Sequence, residues 1–239
     1  MRIASIAAAL LSVAAVCAAN AMGFQPMDME MTSAGSGTRT QFYVSNDSSA
    51  PVAVEITIDA LSYTEDGKQV TKEITSSDLL ILPLTASIPP GATQTFRVQW
   101  VGDPELKASQ SFMVHANQLP VRDTSGKSRI QVVQGFGAIL NVAPAGGAAN
   151  LKLLSAAPAK GPKGGPAVSI LVENPTNTHA LIANTAVHAG GQTLGPDAMR
   201  STVGIGVVAP GKKRRFLVPL ANPIAAGDSV TIDYRGSQQ

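Results

Sequence analysis

The sequence predicts an all-β protein of two tandem β-sandwich domains, and three observations predict it. Short apolar runs rich in Val, Ile, Thr and Phe are separated by clusters of Gly, Pro, Asn, Asp and Ser at the spacing of a sandwich. Helical periodicity is sustained nowhere after Ala21. A Pro-Gly string recurs once, in register, 120 residues further along.

The chain of 239 residues opens with Arg2, an apolar run from Ile3 through Ala18, and the triplet Ala19-Asn20-Ala21. This is the form of a secretory leader, residues 1–21, with its cleavage site after Ala21. The run is shorter than the ~20 residues that span a bilayer. Cys17 lacks a lipobox, because Ala14 and Val16 stand where a branched aliphatic and a small residue are needed, so it leaves with the leader. The mature chain then holds no cysteine, and disulfides, thiolate metal sites and cysteine nucleophiles are not expected. Without Arg2, 17 basic residues face 16 acidic ones, a formal charge of +1. That field recruits neither nucleic acid nor anionic lipid. About 218 mature residues, with 44% of the whole chain apolar, suit two sandwiches with their own cores. No second apolar run is long enough to span a membrane, so a soluble exported protein is expected.

In chain order, strands are expected at Thr40–Val44, Val52–Leu61, Ser77–Leu84, Thr93–Val101, Ser111–Gln118 and Ser128–Val142. Pro90-Gly91, four residues, Phe96-x-Val98 recurs as Pro210-Gly211, four residues, Phe216-x-Val218. Pro presets φ and Gly accepts positive φ, so each string is a turn feeding a strand. Upstream, Val44-Ser45-Asn46 and Val172-Glu173-Asn174 each end an apolar run in a polar turn. Two matched pairs at nearly one offset point to a duplicated module. The flexible stretch Ala143-Pro144-Ala145-Gly146-Gly147 is the expected boundary, and Ala157–Pro166 the expected surface loop of the second module.

Several stretches in order resemble the PapD-like periplasmic chaperones of the chaperone-usher pilus pathway, in a divergent, alternative or archaic branch. They are Gly23-Phe24-Gln25-Pro26-Met27, Val44-Ser45-Asn46-Asp47 before Pro51-Val52, Leu82-Pro83, and Ile88-Pro89-Pro90-Gly91 leading to Phe96-Arg97-Val98-Gln99-Trp100. Ser111-Phe112-Met113-Val114 through Gln118-Leu119-Pro120 and the run Arg129–Asn141 closing at Ala143-Pro144 follow. The resemblance implies two immunoglobulin-like domains in a boomerang, 22–144 and 145–239. It also implies a periplasmic location and a first domain that lends a strand to an incomplete pilus subunit before delivery to an outer-membrane usher. In the family register the groove-filling positions fall at Ile130, Val132 and Gln134, with Phe136 and Ile139 further along. Gln134 is the misfit, since burying an amide without partners costs roughly 1–3 kcal/mol, and Val133 is the alternative donor residue. By composition alone, Ile130–Val142 fits a buried central strand as well as a donor. Gly135 and Gly137 suggest a bulge or a close backbone approach.

The chain also departs from the family's pattern. The family anchors the subunit's terminal carboxylate with an Arg in the first strand and a Lys in the donor strand. Here Gln25, Met27 and Met29 occupy the first strand and Ile139 the Lys position. Arg39, Arg97 and Arg129 are the remaining cationic candidates. Ala143 stands where an interdomain Arg precedes the Pro, and Asp233 is the acidic member retained. Lys212-Lys213-Arg214-Arg215 is either a soluble edge or a contact for an acidic partner such as an usher segment.

His115, His179 and His188 are widely separated, without cysteine or carboxylate at metal-ligand spacing. There is no Gly-x-Ser-x-Gly elbow, phosphate loop or dinucleotide fingerprint. Glu55 and Asp59 share a strand face with Thr57, as the solvent side of a half-buried strand would. No enzyme activity, cofactor, metal, nucleic acid or small-molecule substrate is expected. Two other classes stay open: a structural pilin or surface protein, and an exported binding or enzymatic sandwich. Three Tyr and one Trp are few for stacking on sugars.

Overall fold

The structure is a computed structural model that describes residues 22–74, 78–120 and 133–236. The expected leader, residues 1–21, lies outside them.

Among the described residues ten strands build the first sandwich. The chain enters as β1 (Met22–Gln25), passes Pro26, and continues as β2 (Asp28–Thr32) in the opposite sheet. Then come β3 (Arg39–Asn46), β4 (Val52–Tyr63), β5 (Gln69–Glu73), β6 (Leu79–Leu82), β7 (Thr85–Ile88), β8 (Thr93–Trp100), β9 (Gln110–Gln118) and β10 (Gly135–Ala143). One sheet runs β1-β3-β8-β6, and the other β2-β10-β9-β4-β5 with β7 also on β4. Alternate residues point inward from both: Phe42 and Val44, Phe96 and Val98, Val54 and Ile56, Phe112 and Val114, all buried. The expected strands match β3, β4, β8 and β9 closely. The expected run Ser77–Leu84 contains β6 and ends just before β7, because the chain changes sheets at Pro83, which has no N–H to give a ladder, and Ser77 lies outside the described residues. β5 is exposed along its whole length, so no apolar alternation marks it.

The second sandwich comprises β11 (Lys152–Lys160), β12 (Pro166–Glu173), β13 (Ala180–Leu181), β14 (Thr185–Ala189), β15 (Gln192–Leu194), α1 (Pro196–Thr202), β16 (Val207–Val208), β17 (Lys213–Pro219) and β18 (Val230–Tyr234). Its sheets run β11-β12-β17 and β15-β14-β18, with β13-β16 as a separate pair. One expectation is corrected here. Ala157–Lys160 belongs to strand β11 rather than to a loop, and only Gly161–Gly165 turns, with Gly161 N donating to Gly165 O at 2.8 Å. An exposed edge strand of Ala and Pro carries no alternation to reveal it. There is also a helix, α1, opened by Pro196 at its first turn and anchored by buried Met199. Seven residues are too few for periodicity to register.

The repeated strings meet in space. In the first sandwich Gly91 N donates to Asn46 O (2.7 Å) and Asn46 N to Ala92 O (2.9 Å). In the second, Gly211 N donates to Asn174 O (2.9 Å) and Asn174 N to Lys212 O (3.0 Å). Gly91 and Gly211 sit at φ +70° and +65°, which a side chain rarely adopts. The apolar residues form two separate clusters, one spanning Met22 to Val142 and one spanning Ala149 to Tyr234.

Candidate functional site

β10 pairs antiparallel with β9 from Gly135 to Val142, but parallel with β2 only from Ile139 to Ala143. Among the described residues, Gly135–Ala138 therefore has a ladder on one side and a free edge on the other. The β9 ladder is continuous, so the glycines mark no bulge. Gly137 instead admits a close side chain, since a Cβ there would lie 2.9 Å from Met113 Sδ.

Alternation sends Phe136, Ala138, Leu140 and Val142 inward and leaves Gly135 and Gly137 exposed. Phe136 is half-buried and stacks on Phe24 with ring centroids 6.4 Å apart. Phe24 stacks on Phe42 at 4.8 Å and Phe42 on Phe96 at 5.1 Å, within the range of favourable aromatic pairs. A column of four rings thus runs from the centre of the core to the free edge. Val133, just before it, is 51% exposed.

Gln134 is not an unpartnered amide. Its Oε1 accepts from Met22 N at 2.9 Å, its backbone N donates to Gln118 Oε1 at 3.2 Å, and its carbonyl accepts from Gln118 N at 2.9 Å. The cost expected at this position is removed by bonds to β1 and β9, partners that belong to other elements and so leave no local trace in the sequence.

Ile130, Val132 and Arg129 lie outside the described residues. Arg39 and Arg97 are exposed on the outward face of the β1-β3-β8-β6 sheet, Arg39 across from Gln99 and Arg97 between Gln41 and Leu82. They share that face with exposed Leu80 and Leu82. β10 belongs to the other sheet, so neither Arg is gathered with Gln134 and Phe136.

The two arginines of the basic run are used within the molecule. Arg214 lies over the Tyr63 ring at 3.8 Å and over Phe216 at 4.9 Å, and donates to Val207 O. Arg215 pairs with Glu65 (3.4 Å) and Asp66 (3.8 Å), and its backbone N donates to Glu65 O. The β4–β5 hairpin of the first sandwich therefore docks on β17 of the second. Burial pushes the Tyr63 hydroxyl above its ordinary value, against the opposing pull of Arg214, and burial lowers Arg214 in turn.

Asp233 does not bridge the domains. It pairs with His188 Nε2 at 3.0 Å on the neighbouring strand. The bridge lies at Glu30, whose Oε2 sits 2.6 Å from His179 Nε2 and whose Oε1 accepts from Asn141 Nδ2 at 2.9 Å. Ser109 Oγ accepts from His179 N at 2.9 Å and lies 3.1 Å from His179 Nδ1. The carboxylate requires a proton on Nε2, so in the neutral ring Nδ1 accepts the Ser109 hydroxyl. The order of Ser109, His179 and Glu30 is that of a nucleophile, base and acid. Glu30 and Ser109 belong to the first sandwich and His179 to the second, so the array fastens one sandwich to the other. Asp28 and Arg200 add a second ion pair at 3.2 Å. Burial also raises Tyr234, with a backbone bond to Leu181 lowering it and the Glu30 charge raising it further. His115 pairs with Asp59 at 3.2 Å, which separates Asp59 from Glu55 as an acid-base couple.

No family model and no curated protein matches the sequence. Solved structures do match in fold. The class 5 fimbriae chaperone CfaA is 13% identical, with 90% of this chain and 99% of that one covered at a TM-score of 0.54. A chain from the Salmonella enterica SafA pilin in complex with the SafB chaperone is 16% identical over 91% and 97%, also at 0.54. A chain from the CsuC–CsuE pre-assembly complex of archaic Csu pili of Acinetobacter baumannii is 12% identical over 82% and 89%, at 0.52. At these identities the shared property is the all-β, two-domain fold.

Proposed function

We propose that the chain, built on the fold of fimbrial chaperones, is itself an exported chaperone for pilus subunits and not an enzyme. On this reading residues 22–144 and 145–239 are its two domains. It works in the periplasm and hands its cargo to an outer-membrane usher. The observation that carries the reading is the one-sided ladder at Gly135–Ala138 with the aromatic column ending beside it. A subunit that lacks its last strand exposes an apolar groove bordered by unpaired N–H and C=O groups, and such an edge aggregates. A free strand edge continuous with an apolar interior supplies both missing parts, main-chain bonds and groove-filling side chains. In this register Ile130 and Val132 fill the groove, while Phe136 stays with the chain's own core and Gln134 with its own neighbours.

The test is periplasmic co-expression with pilin candidates, followed by pull-down and sizing. A one-to-one complex is expected, weakened about tenfold or more by Ile130→Asp or Val132→Asp, since each would bury a charge in an apolar groove. Binding that ignores both substitutions refutes the donor assignment, and absence of any complex refutes the chaperone.

A further inference from the structure

Gln134 and Gln118 close the β9–β10 hairpin where its two strands part. Each backbone is bonded to the other residue, once through the main chain and once through the Gln118 side chain. Beyond this point Leu119 N turns away to Ala53 O on β4. The Gln134 side chain then crosses the open side of the sandwich to Met22 N, the first described residue of β1. Met22 is itself buried and faces Asn46 across the β1–β3 ladder. One amide therefore ties together both sheets at the root of the free edge.

The acceptor is aimed at a particular nitrogen. Met22 follows Ala21, the expected end of the leader. Hydrolysis of that peptide bond by a signal peptidase adds one water, sends the Ala21 carboxylate off with the leader, and leaves an ammonium on Met22. We propose that Gln134 is a positioning residue that holds this new amino terminus, so that removal of the leader tightens the root of the donor segment. An amide N–H has one hydrogen and no charge. The ammonium that replaces it has three hydrogens and a full charge, and its bond to Gln134 Oε1 becomes charge-assisted. This rests on the reading of β10 as the root of a donor strand, and it gives the Gln at that position a use.

The test uses mature protein exported to the periplasm, whose mass is expected to begin at Met22. In [15N]methionine-labelled protein the α-amino nitrogen is titrated by NMR in the wild type, Gln134→Met and Gln134→Glu. The bond to Gln134 favours the charged form, so Gln134→Met is expected to titrate at lower pH than the wild type and Gln134→Glu at higher pH. Burial acts on all three alike, so the order isolates the bond. With the pilin captured above, Gln134→Met is expected to weaken binding about fivefold, and Gln134→Glu to retain it. A mature chain that starts elsewhere, or three coincident titrations, overturns the clasp. The expected titration order with unchanged pilin affinity overturns its positioning role. Failure of the wild type to capture any pilin refutes the chaperone reading instead, and the titration still decides whether the clasp exists.

Discussion

Asn46 and Asn174 occupy the same place in the two sandwiches and make the same four bonds. Asn46 Nδ2 donates to Ala50 O and Ile88 O, and its Oδ1 accepts from Ser48 N and Ser48 Oγ. Asn174 Nδ2 donates to Thr178 O and Val208 O, and its Oδ1 accepts from Thr176 N and Thr176 Oγ1. Both are fully buried, so removing either amide strands carbonyls away from water. Asn46→Ala and Asn174→Ala are each expected to cost about 2–4 kcal/mol in denaturant unfolding, and Asn→Asp about as much, because it loses both donors. These residues were legible in the sequence: the repeated Asn and Pro-Gly strings are two turns that hydrogen-bond each other in each sandwich. Tyr63 was not, because its partner Arg214 is 151 positions away and nothing local pairs them. Its folded-state value is raised above the unfolded one of about 10. The stability linked to it is therefore fully present below that pH and is lost as pH rises through the raised value. Tyr63→Phe keeps a ring under Arg214, and the unfolding free energy measured from pH 8 to 11 is expected to fall less steeply than in the wild type.

Among the elements, β11 is the long exposed edge of its sheet, and such an edge invites pairing with another chain. Pro158 lies across from Val168, and Pro166 across from Lys160, two steps along the same alternation. Neither Pro has an N–H to give, so these pairs are the ones whose ladder groups point away from the partner strand. Pro158 thus removes a donor from the outer edge. Pro158→Val would restore it, with concentration-dependent self-association expected in sedimentation and monomer stability within about 1 kcal/mol of the wild type. Strands with buried faces, such as β3, β8 and β9, were legible because alternation and burial coincide. β5 and β11 are exposed on both faces and offered no such signal. β1 and β2 read as one strand, since the change of sheet at Pro26 is decided by what each half packs against. β10 was legible as apolar, and the length of its unpaired edge depends on where β2 begins beside it.

Over the whole molecule, the tandem sandwiches could be read from the duplicated strings, whereas the joint between them could not. Its contacts link Glu30 to His179 and Asp28 to Arg200, and residues 63–66 to Arg214 and Arg215. Each partner is far away in sequence, and the run Lys212–Arg215 resembles any solvated edge until the hairpin is seen against it. A double-mutant cycle with Glu30→Ala and His179→Ala is expected to show a coupling of about 1.5–3 kcal/mol, since the bond is charge-assisted and His179 is buried. Among the described residues the joint brings no shared apolar cluster, and its contacts are of the kind that salt, alkali and denaturant weaken first. Calorimetry should accordingly resolve two overlapping heat-absorption peaks that draw apart in high salt, and a single melting temperature would describe neither sandwich.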